Sequence, residues 1–195
     1  MTALDQFLPT YEFHEVHTVT IRASVSFVYT AIKEVTLSEM SVFVPWLLGL
    51  RALPARLTGD KRPQLAANEA LLETMSRNGF VPLTEAPGSE VVIGMIGQPW
   101  KIAGGDEPAI HSPEAFLGFD KPDYARIVTN LIVIPGSVPG QVSCTTETRI
   151  HIPDPAAQRQ FQLYWQVISI GSGLLRMMWL NAIKRRAERS TGEKQ

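Results

Sequence analysis

From Asp154 or Pro155 to about Arg189, apolar side chains recur at a helical period, and no other feature restricts the fold of this chain more. Phe161, Tyr164, Trp165, Ile168, Leu175, Met178, Trp179 and Ala182 make one broad stripe. A helix with such a face must bury it. The chain upstream offers a run of strands as the surface to bury it on. Residues 80–85 and 90–97 read as strands joined by the turn-forming residues Ala86, Pro87, Gly88 and Ser89. Residues 125–134 and 141–152 read as the strongest pair, linked by the Pro- and Gly-rich residues 135–140 as an antiparallel hairpin. Residues 100–103 and 114–119 are shorter strand candidates.

Residues 17–21 are rich in β-branched side chains and read as a first strand. Ser24 then looks like an N-cap, with Val28, Ala31, Ile32 and Val35 at helical spacing behind it. Residues 37–53 read as a second, irregular helical piece broken at Pro45. Residues 68–78 suit a short helix ended by Gly79. The order is strand, helices, antiparallel strands, long helix. It predicts an α+β helix-grip fold, a curved antiparallel sheet wrapped around a long C-terminal helix, with two short helices after the first strand. A ketosteroid-isomerase-type cone is the alternative, but there the long helices come first.

Length and charge narrow the rest. With 195 residues, one domain over residues 1–195 is expected, with residues 1–15 as an N-terminal extension and 190–195 as a flexible tail. A net charge of −1 offers no basic field for nucleic acid. The single cysteine, Cys144, has no internal disulfide partner and fits a reducing compartment. The first residues carry an acid where a signal peptide has Lys or Arg. The apolar residues 42–53 are interrupted and too short to cross a bilayer. These features lead us to expect a cytoplasmic protein without stable membrane insertion.

Three segments carry a family resemblance. They are Glu90-Val-Val-Ile-Gly-Met-Ile-Gly-Gln-Pro-Trp100, the run Thr146-Glu-Thr-Arg149, and Phe161-Gln-Leu-Tyr-Trp165 with Ile168 and Gly171-Ser-Gly173. From His17 onward the chain resembles a bacterial branch of the SRPBCC superfamily, the START-like, polyketide cyclase-like and birch-pollen-allergen-like helix-grip proteins. That superfamily hosts lipid carriers, polyketide cyclases, ubiquinone-binding proteins and oxygenase subunits, so the resemblance implies a fold more than a function. Its iron and Rieske sites belong to longer chains whose Cys–His motifs are missing here.

The side chains that suit chemistry are few. His14 and His17 would face opposite sides of a strand, His111 and His151 are isolated, and there is no HExxH or CxxC spacing, so no metal and no cofactor are expected. Ser172 lies between Gly171 and Gly173, but on a helix rather than a nucleophile elbow. Those glycines imply a kink, a close approach or a turn between two helices. Gly94 and Gly97 suit the close approach of another element better than a phosphate. Tyr164 or Asp123 could move a proton, yet no acid/base pair is arranged around either. The cations Lys184, Arg185, Arg186 and Arg189 suit the end of a helix.

In the last strand Val142, Cys144, Thr146, Thr148, Ile150 and Ile152 share the inner face. Glu147 and Arg149 point outward, solvated or paired across strands with Glu90 or Arg126, unless the phase slips by one residue.

The leading expectation is a small hydrophobic molecule bound in a sheet–helix cavity without catalysis. Its candidate ligand-binding residues are Trp46, Trp100, Thr146, Thr148, Phe161, Tyr164, Trp165 and Ile168. The alternative is a polyketide cyclase/dehydratase-like enzyme using the same cavity. Residues 42–53 suit a lid, a second core helix or, in a third reading, an exposed patch for a protein partner.

Overall fold

The computed structural model describes residues 3–40, 67–101 and 108–192. Within them the elements are α1 (Leu4–Phe7), β1 (Phe13–Ile21), α2 (Val25–Glu34), α3 (Leu37–Met40), α4 (Leu71–Arg77), β2 (Val81–Ala86), β3 (Glu90–Gly97), α5 (Pro113–Leu117), β4 (Ala125–Pro135), β5 (Val142–His151) and α6 (Pro155–Gly192). Trp46 and the segment 42–53 lie outside the described residues.

Local chemistry sets most boundaries. Ser24 accepts a hydrogen bond from the Phe27 N–H at 3.3 Å and caps α2. Gly79, with φ of +90°, turns the chain out of α4 toward β2. Gly88 and Gly140, with φ of +79° and +77°, sit in the two hairpin turns, a conformation glycine adopts without steric penalty. Residues 114–119 are not a strand. Ser112 caps α5 by accepting from the Ala115 N–H at 3.2 Å, and Pro113 pre-sets the first helical turn. Trp100 is not in a strand either. It lies in a turn closed by the Lys101 N–H on the Gln98 carbonyl at 3.0 Å.

The five strands form one antiparallel sheet in the order β1-β5-β4-β3-β2. The first strand pairs with the last, from Phe13 opposite Ile150 to Ile21 opposite Val142. Pro82 lies on the edge strand β2, where its missing N–H does least damage. The long helix α6 packs on one face of this sheet beside α2. The fold is a helix grip.

On the inner face, Trp179, Leu180, Ala182, Ile183 and Ala187 of α6 pack with Val28 and Ile32 of α2 and with Ile21, Leu131, Val142 and Cys144 of the sheet. Burial pushes the Cys144 thiol up to about 12. The cations at the end of α6 pair with specific groups. Arg186 meets Glu34 at 2.8 Å and Glu39 at 2.9 Å, Arg185 donates to the Glu39 carbonyl at 2.6 Å, and Lys184 donates to the Thr20 carbonyl at 2.8 Å. They tie α6 to α2, α3 and β1, a firmer explanation than the helix dipole alone.

The outer face is also covered. Leu4, Phe7 and Leu8 pack with Val92, Ile96 and Val128 of the sheet and with Phe116 of α5. A Cβ at Gly94 would lie 2.7 Å from Leu83 Cδ1 and 2.8 Å from Phe116 Cε2, so the close-approach reading of this glycine holds. Residues 3–8 are therefore part of the packed structure, although they fall in the stretch that reads as an extension.

The phase expected for β5 is observed, but the surroundings of its outward residues are not those expected. Arg149 is only 8% exposed and donates to Glu147 at 2.7 Å, to Asp5 at 2.6 Å and to the Leu8 carbonyl at 3.3 Å. Burial alone would lower its pKa, but the Asp5 and Glu147 carboxylates outweigh burial and raise it. Glu90 bonds Asn130 at 2.6 Å rather than a cation. If α1 is integral, Leu4→Ala will lower stability by about 2–5 kcal/mol in a denaturant titration. A change within about 0.5 kcal/mol would make the segment a loose extension after all.

Candidate functional site

The β1–β5 register puts pairs of side chains on the inner face in a fixed sequence. Phe13 stands opposite Ile150, Glu15 opposite Thr148, His17 opposite Thr146, Val19 opposite Cys144, and Ile21 opposite Val142. The neighbouring strand β4 adds Ile127, Thr129, Leu131 and Val133 beside Ile150, Thr148, Thr146 and Cys144. The face is thus apolar at both ends and polar across the middle, where α6 crosses it.

At one end the aromatic residues gather. Phe161 is 1% exposed, and its ring lies 4.7 Å from Phe13, 5.7 Å from Trp100, 5.8 Å from Tyr164 and 5.7 Å, stacked, from Trp165. Four of the expected binding residues, Trp100, Phe161, Tyr164 and Trp165, therefore form one cluster. Phe161 is fully packed, while Tyr164 and Trp165 are half-buried. Ile168, further along α6, is half-buried too.

In the middle, Glu15 is the hub. The His17 Nε2–H donates to Glu15 Oε1 at 2.7 Å, and the Ser172 hydroxyl donates to Oε2 at 3.4 Å. Arg176 Nε lies 3.6 Å from the same Oε2, beyond hydrogen-bond reach. Side-chain exposures are 21% for His17, 15% for Glu15 and 17% for Arg176. Burial lowers the Arg176 pKa, and the Glu15 carboxylate pulls it back up.

The threonines below are more deeply buried. Thr129 and Thr148 share a hydrogen bond at 2.6 Å, whereas the Thr146 hydroxyl, on a fully buried residue, has no partner. Arg176 Nε and Trp179 Nε1 are likewise buried without a hydrogen bond. Each such orphan costs on the order of 1–3 kcal/mol.

The two glycines of α6 now separate. The helix runs without a break through both, so neither marks a turn between two helices. A Cβ at Gly173 would lie 2.7 Å from Glu15 Oε1 and 3.3 Å from the His17 ring, whereas one at Gly171 would meet nothing. Gly173 is the close approach that the sequence allowed for.

Ser172 thus serves the Glu15 cluster rather than a nucleophile elbow. Sequence reasoning missed Glu15, His17 and Arg176 as a group. One signal was present: Arg176 is the only charge between Arg159 and Lys184, and it lies on the inward side of the helix.

Elsewhere, a cleft of about 170 Å³ opens at the start of α6, lined by Gln98, Trp100, Lys101, Asp123, Asp154 and Gln160. It is smaller than the roughly 300–1,000 Å³ of typical ligand pockets. There the Gln98 side chain donates to Asp123 Oδ2 at 2.8 Å. Among the described residues, no group of three or more His, Cys, Asp or Glu side chains could hold a metal ion. No helix among them is long and apolar enough to cross a membrane.

No family model and no curated protein matches the chain. Among solved structures, the aromatase/cyclase Zhui from a Streptomyces species aligns over 92% of this chain and 95% of its own, at 14% identity and a TM-score of 0.34. The protein XoxI from Bacillus cereus aligns over 90% of this chain and 96% of its own, at 9% identity and a TM-score of 0.29. Likenesses of this size carry no functional inference. The fold assignment rests on the strand order and the placement of α6.

The glycine pair yields a paired test. Gly171→Ala will stabilise the protein by about 0.5–1 kcal/mol, the ordinary gain of Ala in a helix. Gly173→Ala will not show that gain, because the new methyl displaces the Glu15 carboxylate from His17. Equal melting-temperature gains for both would refute the close approach.

Proposed function

We propose that the chain binds a small hydrophobic molecule between α6 and the inner face of the sheet, without converting it. One observation carries this reading. The surface between helix and sheet pairs a half-buried aromatic end with a polar middle whose buried atoms lack partners. Packed cores seldom leave such atoms unpaired. Ligand sites combine apolar walls with a few polar groups of this kind. Trp165 and Ile168 would contact the apolar body of the ligand, with Thr146 near its polar part. Phe161 would support them from behind, and Thr148 would stay with Thr129.

Native mass spectrometry of protein purified from its own host, followed by organic extraction, tests the proposal. A stoichiometric lipophile is the expected result. Trp165→Ala should then weaken binding of the neutral fluorophore N-phenyl-1-naphthylamine by about tenfold or more, in line with the loss of a large buried aromatic contact. Phe161→Ala should instead lower stability by about 3–5 kcal/mol. Unchanged binding in Trp165→Ala would place that residue in the core alone.

A second reading, a cyclase- or dehydratase-like enzyme, is favoured by the His17–Glu15 hydrogen bond on the same surface. A histidine held by a carboxylate is a suitable proton carrier. Ring closure of a linear poly-β-ketone by the wild type, lost in His17→Gln at unchanged melting temperature, would support turnover. No product above the uncatalysed background would leave carriage as the function.

A further inference from the structure

We propose that the molecule held between α6 and the sheet is a carboxylate on a hydrophobic body, and that Arg176 receives its head group. The inference rests on the binding reading above and specifies its ligand. Three buried polar atoms on the inner side lack partners: Arg176 Nε, Trp179 Nε1 and Thr146 Oγ1. The first two can only donate, and the third donates as readily as it accepts. What this surface lacks is an acceptor. A ligand alcohol or carbonyl would supply one, but neither would bring a charge to the guanidinium, whose ion-pair partner Glu15 stays 3.6 Å from Nε without a hydrogen bond. A carboxylate does both, and its two oxygens match the guanidinium fork.

Glu15 pairs with Arg176 electrostatically but does not supply the missing hydrogen bond. Its Oε1 accepts from His17 at 2.7 Å and its Oε2 from Ser172 at 3.4 Å, while Arg176 Nε stays 3.6 Å away. Glu15 therefore keeps two donors of its own when Arg176 turns to another anion. The inner-face positions of β4 and β5 beside Glu15 and His17, namely Thr129, Thr146 and Thr148, are uncharged. No second acid on α6 competes, because Arg176 is the only charge between Arg159 and Lys184. Trp179 lies about one turn further along the helix, on the same side. Thr146 stands beside His17 in the β1–β5 register. The aromatic end of the surface then lies ready for the apolar body.

The test is displacement of N-phenyl-1-naphthylamine from the full chain by dodecanoate and by its methyl ester. In the wild type, dodecanoate should displace the probe at a concentration about tenfold or more below that of the ester, the size expected for a charge-assisted hydrogen bond. Arg176→Gln should abolish that preference and leave the ester unchanged, and Arg176→Lys should keep part of it. Glu15→Gln provides an independent arm, in case Arg176→Gln fails to fold. Removing the neighbouring negative charge should tighten dodecanoate binding and leave the ester unaffected.

Equal displacement by acid and ester in the wild type would overturn the carboxylate assignment while binding stands. A preference that survives in Arg176→Gln would overturn the role of Arg176. Failure of the probe and both competitors to bind at all would instead overturn the binding reading itself.

Discussion

The architecture turns on how closely α6 lies against β1. At Gly173 the helix leaves no room for a Cβ above the Glu15 carboxylate. That contact could not hold alone. It is set between two apolar clusters, the aromatic group around Phe161 on one side and the core around Trp179 and Ile183 on the other. Hydrophobic burial at both ends presses the helix down, and a polar middle is enclosed as a result. The burial of Glu15, His17 and Arg176 follows from packing around them rather than from their own affinity for the interior.

The fold was legible because its largest signals are periodic. The two hairpins and the C-terminal helix announce themselves through alternation, turn residues and the apolar stripe. The failures were local. Residues 114–119 look like a short strand until Ser112 and Pro113 are read as a helix start. The first strand begins at Phe13, earlier than its β-branched run, because Phe13 and Glu15 are held by Ile150 and Thr148 across the ladder. Pairing partners so distant in sequence do not show in local propensity. The same is true of α1, whose few apolar residues gain meaning only from the outer face they cover.

The site was half legible. Aromatic residues on the inner stripe of α6 could be named from spacing alone, and they do cluster. The polar group could not, since it is assembled from β1 and from α6, more than 150 residues apart. The stripe also hid a second one. Leu163, Val167, Ile170 and Leu174 lie along the opposite side of α6, with Val167 83% exposed and Ile170 82% exposed. With apolar side chains on both sides, α6 lacks the clean amphipathic contrast that would have singled out Arg176 as an inward-facing charge.

The pairing of β1 with β5 also bears on how the molecule is made. Thr18 meets Thr145 across 127 residues of chain. During synthesis β1 emerges first, yet its neighbour in the sheet is the last strand to leave the ribosome. Until then β1 has an open edge and an uncovered apolar face, the state most prone to pair wrongly. Once β5 has emerged, its hairpin with β4 forms readily because the two are adjacent in sequence, whereas pairing β5 with β1 must close a long loop. Substitutions at the exposed positions of β1, such as Val16 and Thr18, should therefore affect the yield of folded protein from cells more than the stability of the protein once folded.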